Sequence, residues 1–143
     1  MSDSTRKIVV VPCSGIGKPY GTVAREAGYD LVEDLRPDDT LLVALSKLVL
    51  GDAEARATVA GHPVISVDGC KLNCAAKMVR ESGGTVVREV AVLEVFRRHK
   101  DLKPDGIAQL NPEGQRLARV LAEELVPEID RLTRDAAQED DHA

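Results

Sequence analysis

Residues 8–11, Ile-Val-Val-Val, form an unbroken run of β-branched apolar residues closed by Pro12-Cys13-Ser14-Gly15. A run so short, bounded by turn residues, predicts a strand buried on both faces. The period then changes. Val23, Ala27, Leu31 and Leu35 recur every fourth residue, predicting a helix over 22–35 that Gly28 weakens and Pro37 stops. Residues 40–45 predict a second short buried strand. Residues 46–61 predict one helix interrupted near Gly51, or two short ones. After the turn Gly61-His62-Pro63, residues 63–69 predict a third strand and 74–84 a third helix, closed by a glycine pair. Residues 85–92 read as a fourth strand running into a helix over 93–100, with no boundary signal between them. Beyond a loop, Asn111-Pro112-Glu113 has the form of an N-cap, a first-turn proline and a first-turn acid. Leu117, Val120, Leu121, Leu125, Ile129 and Leu132 then make the apolar stripe of a long final helix, with Pro127 the expected point of a kink.

Strands alternating with helices predict an α/β fold: a single-domain three-layer sandwich over 1–134, with a mostly parallel sheet of about four strands and a long C-terminal helix. The acidic stretch 135–143 reads as a disordered tail. Ligand sites in such sheets lie at the carboxyl ends of the strands. That edge is where this chain keeps its chemistry. Cys13 follows the first strand, Ala44-Leu45-Ser46 the second, and Asp68-Gly69-Cys70 the third. The thiols converge if the first and third strands are neighbours.

Composition narrows the partners. Aromatic residues are only 2% of the 143 residues and the net charge is −5. Nucleic acid is therefore not expected, since it is held in basic grooves with aromatic stacking platforms. No stretch approaches the roughly 20 apolar residues that span a bilayer, and the first residues lack a signal-peptide pattern, so a cytoplasmic protein with no membrane partner is expected. Three cysteines in a reducing compartment point to metal or thiol chemistry rather than to disulfides.

Cys70 and Cys74 are four apart, a spacing that places both on one helix face. A helix start also favours the thiolate that metals and electrophiles require. Three thiols leave a tetrahedral site one ligand short. His62 lies at the amino end of the third strand, His99 on a charged helix and His142 in the tail, so none is placed to help. Asp68, Ser14, Ser46, water or a substrate must fill the position, as in catalytic zinc or in a [4Fe-4S] cluster with one exchangeable iron. Asp68 reads either as an acid–base group beside the thiols or as a turn and N-cap acid. The SGIGK stretch fails the phosphate-loop pattern, with Pro12 at the first glycine position and Pro19 after Lys18. Gly15 and Gly17 can still direct N–H groups, and Lys18 charge, at an anion or a cluster, or they only make a tight turn. The arginine of a cysteine phosphatase loop is absent, since Pro19 occupies its position.

Taken together, PCSGIGK, the TVAREAGYDLVEDL helix and VDGCKLNCAAKMV resemble the DGC-domain family, over about residues 7–99. That family is regarded as zinc-binding and is named for an Asp-Gly-Cys motif, here Asp68-Gly69-Cys70. The resemblance implies four chelating cysteines and no established reaction. Cys13, Cys70 and Cys74 match three of them, and the fourth falls at the end of the second strand, where this chain has Ala44. Zinc held by Cys13, Cys70 and Cys74, with a small-molecule ligand at the open position, is the leading expectation. A [4Fe-4S] cluster acting on a small sulfur-containing substrate is the first rival. A metal-free sulfur-transfer or thiol redox enzyme, with Cys70 as nucleophile resolved by Cys74 or Cys13, is the second. An interaction module is a third, its C-terminal helix making a homodimer.

Overall fold

The computed structural model of the chain describes residues 7–13, 19–69, 73–106 and 109–142, with side chains as far as Asp135. Four strands, β1 (Ile8–Pro12), β2 (Thr40–Leu42), β3 (Pro63–Asp68) and β4 (Thr85–Ala91), form one sheet in the order β2-β1-β3-β4. Every pairing is parallel. β1 is central and all five of its residues are buried. That accounts for its uninterrupted β-branched sequence, because a parallel strand covered on both faces has no polar side to alternate with.

The helices are α1 (Pro19–Tyr29), α2 (Leu45–Val49), α3 (Ala53–Gly61), α4 (Cys74–Glu81), α5 (Val92–Arg98) and α6 (Pro112–His142). α1 starts at a proline and runs into a π-helical turn over Asp30–Leu35. Arg36 N–H donates to Leu31 O at 2.8 Å, the i to i+5 bond of that widened turn. The second strand is shorter than expected. Val43 N–H makes a last bond to Val10 O at 3.1 Å, after which α2 begins at Leu45. The predicted helix over 46–61 is two helices, parted by Gly51 at φ +79° and by Asp52, which caps α3 by accepting from Ala55 N–H at 2.9 Å. Gly83 adopts φ +88° after α4, with Gly84 N–H returning to Val79 O at 2.9 Å. This is the αL closure that the glycine pair predicts.

Side-chain alternation fixes the layers. A Cβ on Gly28 of α1 would meet Leu42 Cδ1 at 3.0 Å and Pro12 Cγ at 3.4 Å, so α1 lies on the face to which Pro12 and Leu42 point. Asp68 binds α4, on the opposite face. α6 packs on α1, the π-helical turn and α5, completing the first layer. Its stripe Leu117, Leu121, Leu125 and Ile129 is buried, and Val120 and Leu132 are partly so. Asn111 caps α6, accepting from Gly114 N–H at 2.9 Å. The helix passes through Pro127 and continues to His142, into the stretch whose composition reads as a tail.

Candidate metal centre

The register of β1 against β3 brings two of the sequence-predicted positions together. Pro12 pairs with Val67, and the next step places Cys13 beside Asp68. Cys13 N–H donates to Val67 O at 2.8 Å, extending the ladder past the last residue of the strand. Gly69 N–H then turns to donate to Cys13 Sγ at 3.1 Å. Cys13 is buried, 3% exposed. The condition set by the sequence, adjacency of the first and third strands, is met.

Gly69 is required here for space. A Cβ would lie 2.7 Å from Tyr20 C, Tyr20 O and Gly21 N. The start of α1 therefore rests directly on the backbone of the Asp-Gly turn. Cys74 opens α4 and is exposed. It follows Asn73, which reverses the chain in the left-handed region at φ 53° and gives no side-chain cap.

The cap comes from Asp68. Its Oδ1 accepts from Ala75 N–H at 2.8 Å and its Oδ2 from Ala76 N–H at 3.4 Å. The residue is 2% exposed. Burial pushes its carboxyl above the usual carboxylate range; the two amide bonds offset part of that shift and the charge of Glu89 adds to it. A carboxylate thus occupies the amides that a bare helix start would have turned toward a thiolate. One further polar group lies on the same face, two residues back along β3. Ser66 Oγ is buried and has no hydrogen-bond partner.

Cys70, Gly15, Gly17 and Lys18 lie outside the described residues. Ala44, half-buried, is the N-cap of α2 in an extended conformation and contributes no side-chain cap bond. His62 is at the amino end of β3, with Nδ1 2.8 Å from Thr58 O. His99 is 3.2 Å from Glu124, by the start of the loop that leads to α6. Among the described residues, no three His, Cys, Asp or Glu side chains gather into a metal-binding group, and no helix is long and apolar enough to cross a membrane. Among the described residues, grooves run along the sheet edges, one of about 300 Å³ beside β4 and one of about 370 Å³ beside β2. Ala44 lines the groove beside β2, and neither Cys13, Asp68 nor Cys74 lines either of them. The capping role of Asp68 had a sequence signal, since Asp is favoured at helix starts, but its partners were hidden because they lie seven and eight residues on.

No curated protein and no solved structure matches the chain. The family model for the DGC domain matches residues 9–113. That span carries the sheet from Val9 onward, the Asp-Gly turn and all three cysteines, and by it the chain belongs to the DGC domain family.

Proposed function

We propose that the protein binds a metal ion, zinc before others, through Cys13, Cys70 and Cys74 at the carboxyl edge of the sheet. The observation that carries this reading is the Gly69 N–H bond to Cys13 Sγ at 3.1 Å. It ties the first thiol to the residue immediately before the second, while the third opens the helix that Asp68 holds at the same strand end. The donor set suits the ion. Thiolates are soft ligands that select zinc or iron–sulfur clusters over hard cations, and an amide bond to a cysteine sulfur leaves lone pairs for coordination. With Ala44 in the second-strand position, three protein ligands leave one place for water or a small sulfur- or oxygen-containing molecule, the pattern of catalytic rather than structural zinc. Zinc held in this way supplies Lewis acidity. The chain's own residues bury Cys13, fix the start of α4 and keep the Asp-Gly turn against α1.

Anaerobic purification with metal analysis and an absorption spectrum tests the reading. Stoichiometric zinc in a colourless protein, lost in Cys13→Ser, is the expected result. A brown protein with iron and sulfide replaces zinc by a cluster. Metal-free protein with one fast-alkylating thiol replaces metal binding by thiol chemistry. Metal content unchanged in Cys13→Ser defeats the convergence of the thiols.

A further inference from the structure

We infer that Asp68 is a positioning residue for the thiol set, neither a metal ligand nor an acid–base group; this deepens the metal reading above and rests on it. Asp68 ends β3 level with Cys13 and projects to the same face. Its two oxygens go to the amides of Ala75 and Ala76, the two residues directly after Cys74. Asn73 offers α4 no cap of its own, so the carboxylate from the strand stands in for one. The first turn of α4, and with it the backbone of Cys74, is thereby pinned to the end of β3, on the face to which Cys13 projects. Gly69 adds the second hold through its N–H bond to Cys13 Sγ. Asp68 and Gly69 together act as a clasp joining β1, β3 and α4. Each of its oxygens already accepts from an amide of α4, which commits the carboxylate to the helix start.

The experiment compares zinc affinity, by chelator competition, in wild type, Asp68→Ala, Asp68→Asn and Asp52→Ala. Asp52 is the control because it caps α3 through the same kind of bond, away from the thiols. Its loss costs a comparable cap, about 1 kcal/mol. Residues that orient metal ligands typically contribute on the order of 10–100-fold in affinity, and Asp68→Ala is expected to lose that much. Asp52→Ala, equally destabilised, should stay within about twofold of wild type on the same scale. Asp68→Asn keeps an acceptor for Ala75 N–H and should lose less than Asp68→Ala. Asp68→Ala binding zinc like wild type overturns the inference. So does Asp68→Asn binding as poorly as Asp68→Ala while the Ala75 and Ala76 amides stay protected from hydrogen exchange, because that pattern belongs to a ligand.

A metal-free arm separates this from the metal reading. Phenylarsine oxide bridges two thiols, and in Cys70→Ser only Cys13 and Cys74 remain. Adding Asp68→Ala should weaken that bridging, and adding Asp52→Ala should not. If wild type takes up no zinc but the arsenical result holds, the metal reading fails and the positioning role stands. Arsenical binding that is absent, or indifferent to Asp68→Ala, overturns the positioning role itself.

Discussion

Gly69→Ala is the sharpest single perturbation of this architecture. The added methyl would sit 2.7 Å from three backbone atoms of Tyr20 and Gly21, about 0.7 Å short of the 3.4 Å where ordinary contact begins. No flexible side chain is there to give way, so either α1 or the end of β3 must shift. Overpacking of this kind costs roughly 1–3 kcal/mol. At this chain length each kcal/mol lowers the melting temperature by roughly 2–4 °C, so a drop on the order of 2–12 °C is expected. The same shift pulls Gly69 N–H away from Cys13 Sγ, so Cys13 should also alkylate faster in the folded, metal-free variant. Gly61→Ala is the matched control, since a Cβ there meets nothing within 4 Å. It should be neutral or slightly stabilising. The assay is thermal and urea unfolding followed by circular dichroism, with mass-spectrometric alkylation of each cysteine. If Gly69→Ala melts with Gly61→Ala and its Cys13 reacts no faster, the close approach of α1 to the Asp-Gly turn is not a constraint and the reasoning fails.

Ser66→Ala removes a buried hydroxyl with no partner and should raise stability by about 1 kcal/mol; a loss of that size in urea unfolding would reveal a bond the hydroxyl makes in solution. Asn111→Ala should cost about 1–2 kcal/mol, because one side chain caps Gly114 N–H, accepts from Asp105 N–H and donates to Lys103 O; no change in the urea midpoint would sink that account. The hydrogen bond from Arg36 holds the Asp130 carboxyl below the usual range. The pair therefore stabilises the fold above the unfolded-state value of about 3.9 and loses that contribution as pH falls through the folded value. Asp130→Asn should melt below wild type at neutral pH, with the two curves meeting in acid; a gap that persists in acid would rule out the ion pair as its cause.

Local patterning made much of the fold legible. The four strands, the split near Gly51, the caps at Asn111 and the glycine closure of α4 all follow from signals within a few residues of each other. The end of the second strand was misplaced because Val43-Ala44-Leu45 is apolar throughout. Nothing in such a run distinguishes a strand's last residues from a helix's first buried ones, and Leu45 is buried as the first residue of α2. The π-helical turn was invisible for a related reason. Leu31 and Leu35 keep their four-residue spacing whether the turn closes at i+4 or i+5, and it takes backbone bonds such as Arg36 N–H to Leu31 O to separate the two.

The site divides along the same line between local and distant. Cys13, Asp68 and Cys74 read as strand-end and helix-start residues, but bringing Cys13 to the end of β3 depends on β1 lying next to that strand. That pairing joins residues more than fifty positions apart, through Gly69 N–H and Cys13 Sγ, and no local pattern encodes it. The distant geometry also changes the chemistry of the motif. Taken locally, a helix start beside Cys70 and Cys74 donates its amides to sulfur. In the fold, Asp68 claims the amides of Ala75 and Ala76, so the aspartate and the thiols do not share the helix dipole as equals. The acid of the Asp-Gly-Cys motif is engaged at the start of α4. On the proposed metal reading, a donor for the open coordination position has to come from elsewhere. His62 and His99 are engaged at Thr58 and Glu124, and Ala44 has no donor atom. Under the metal reading, this is the reason to look for a small-molecule ligand in that place.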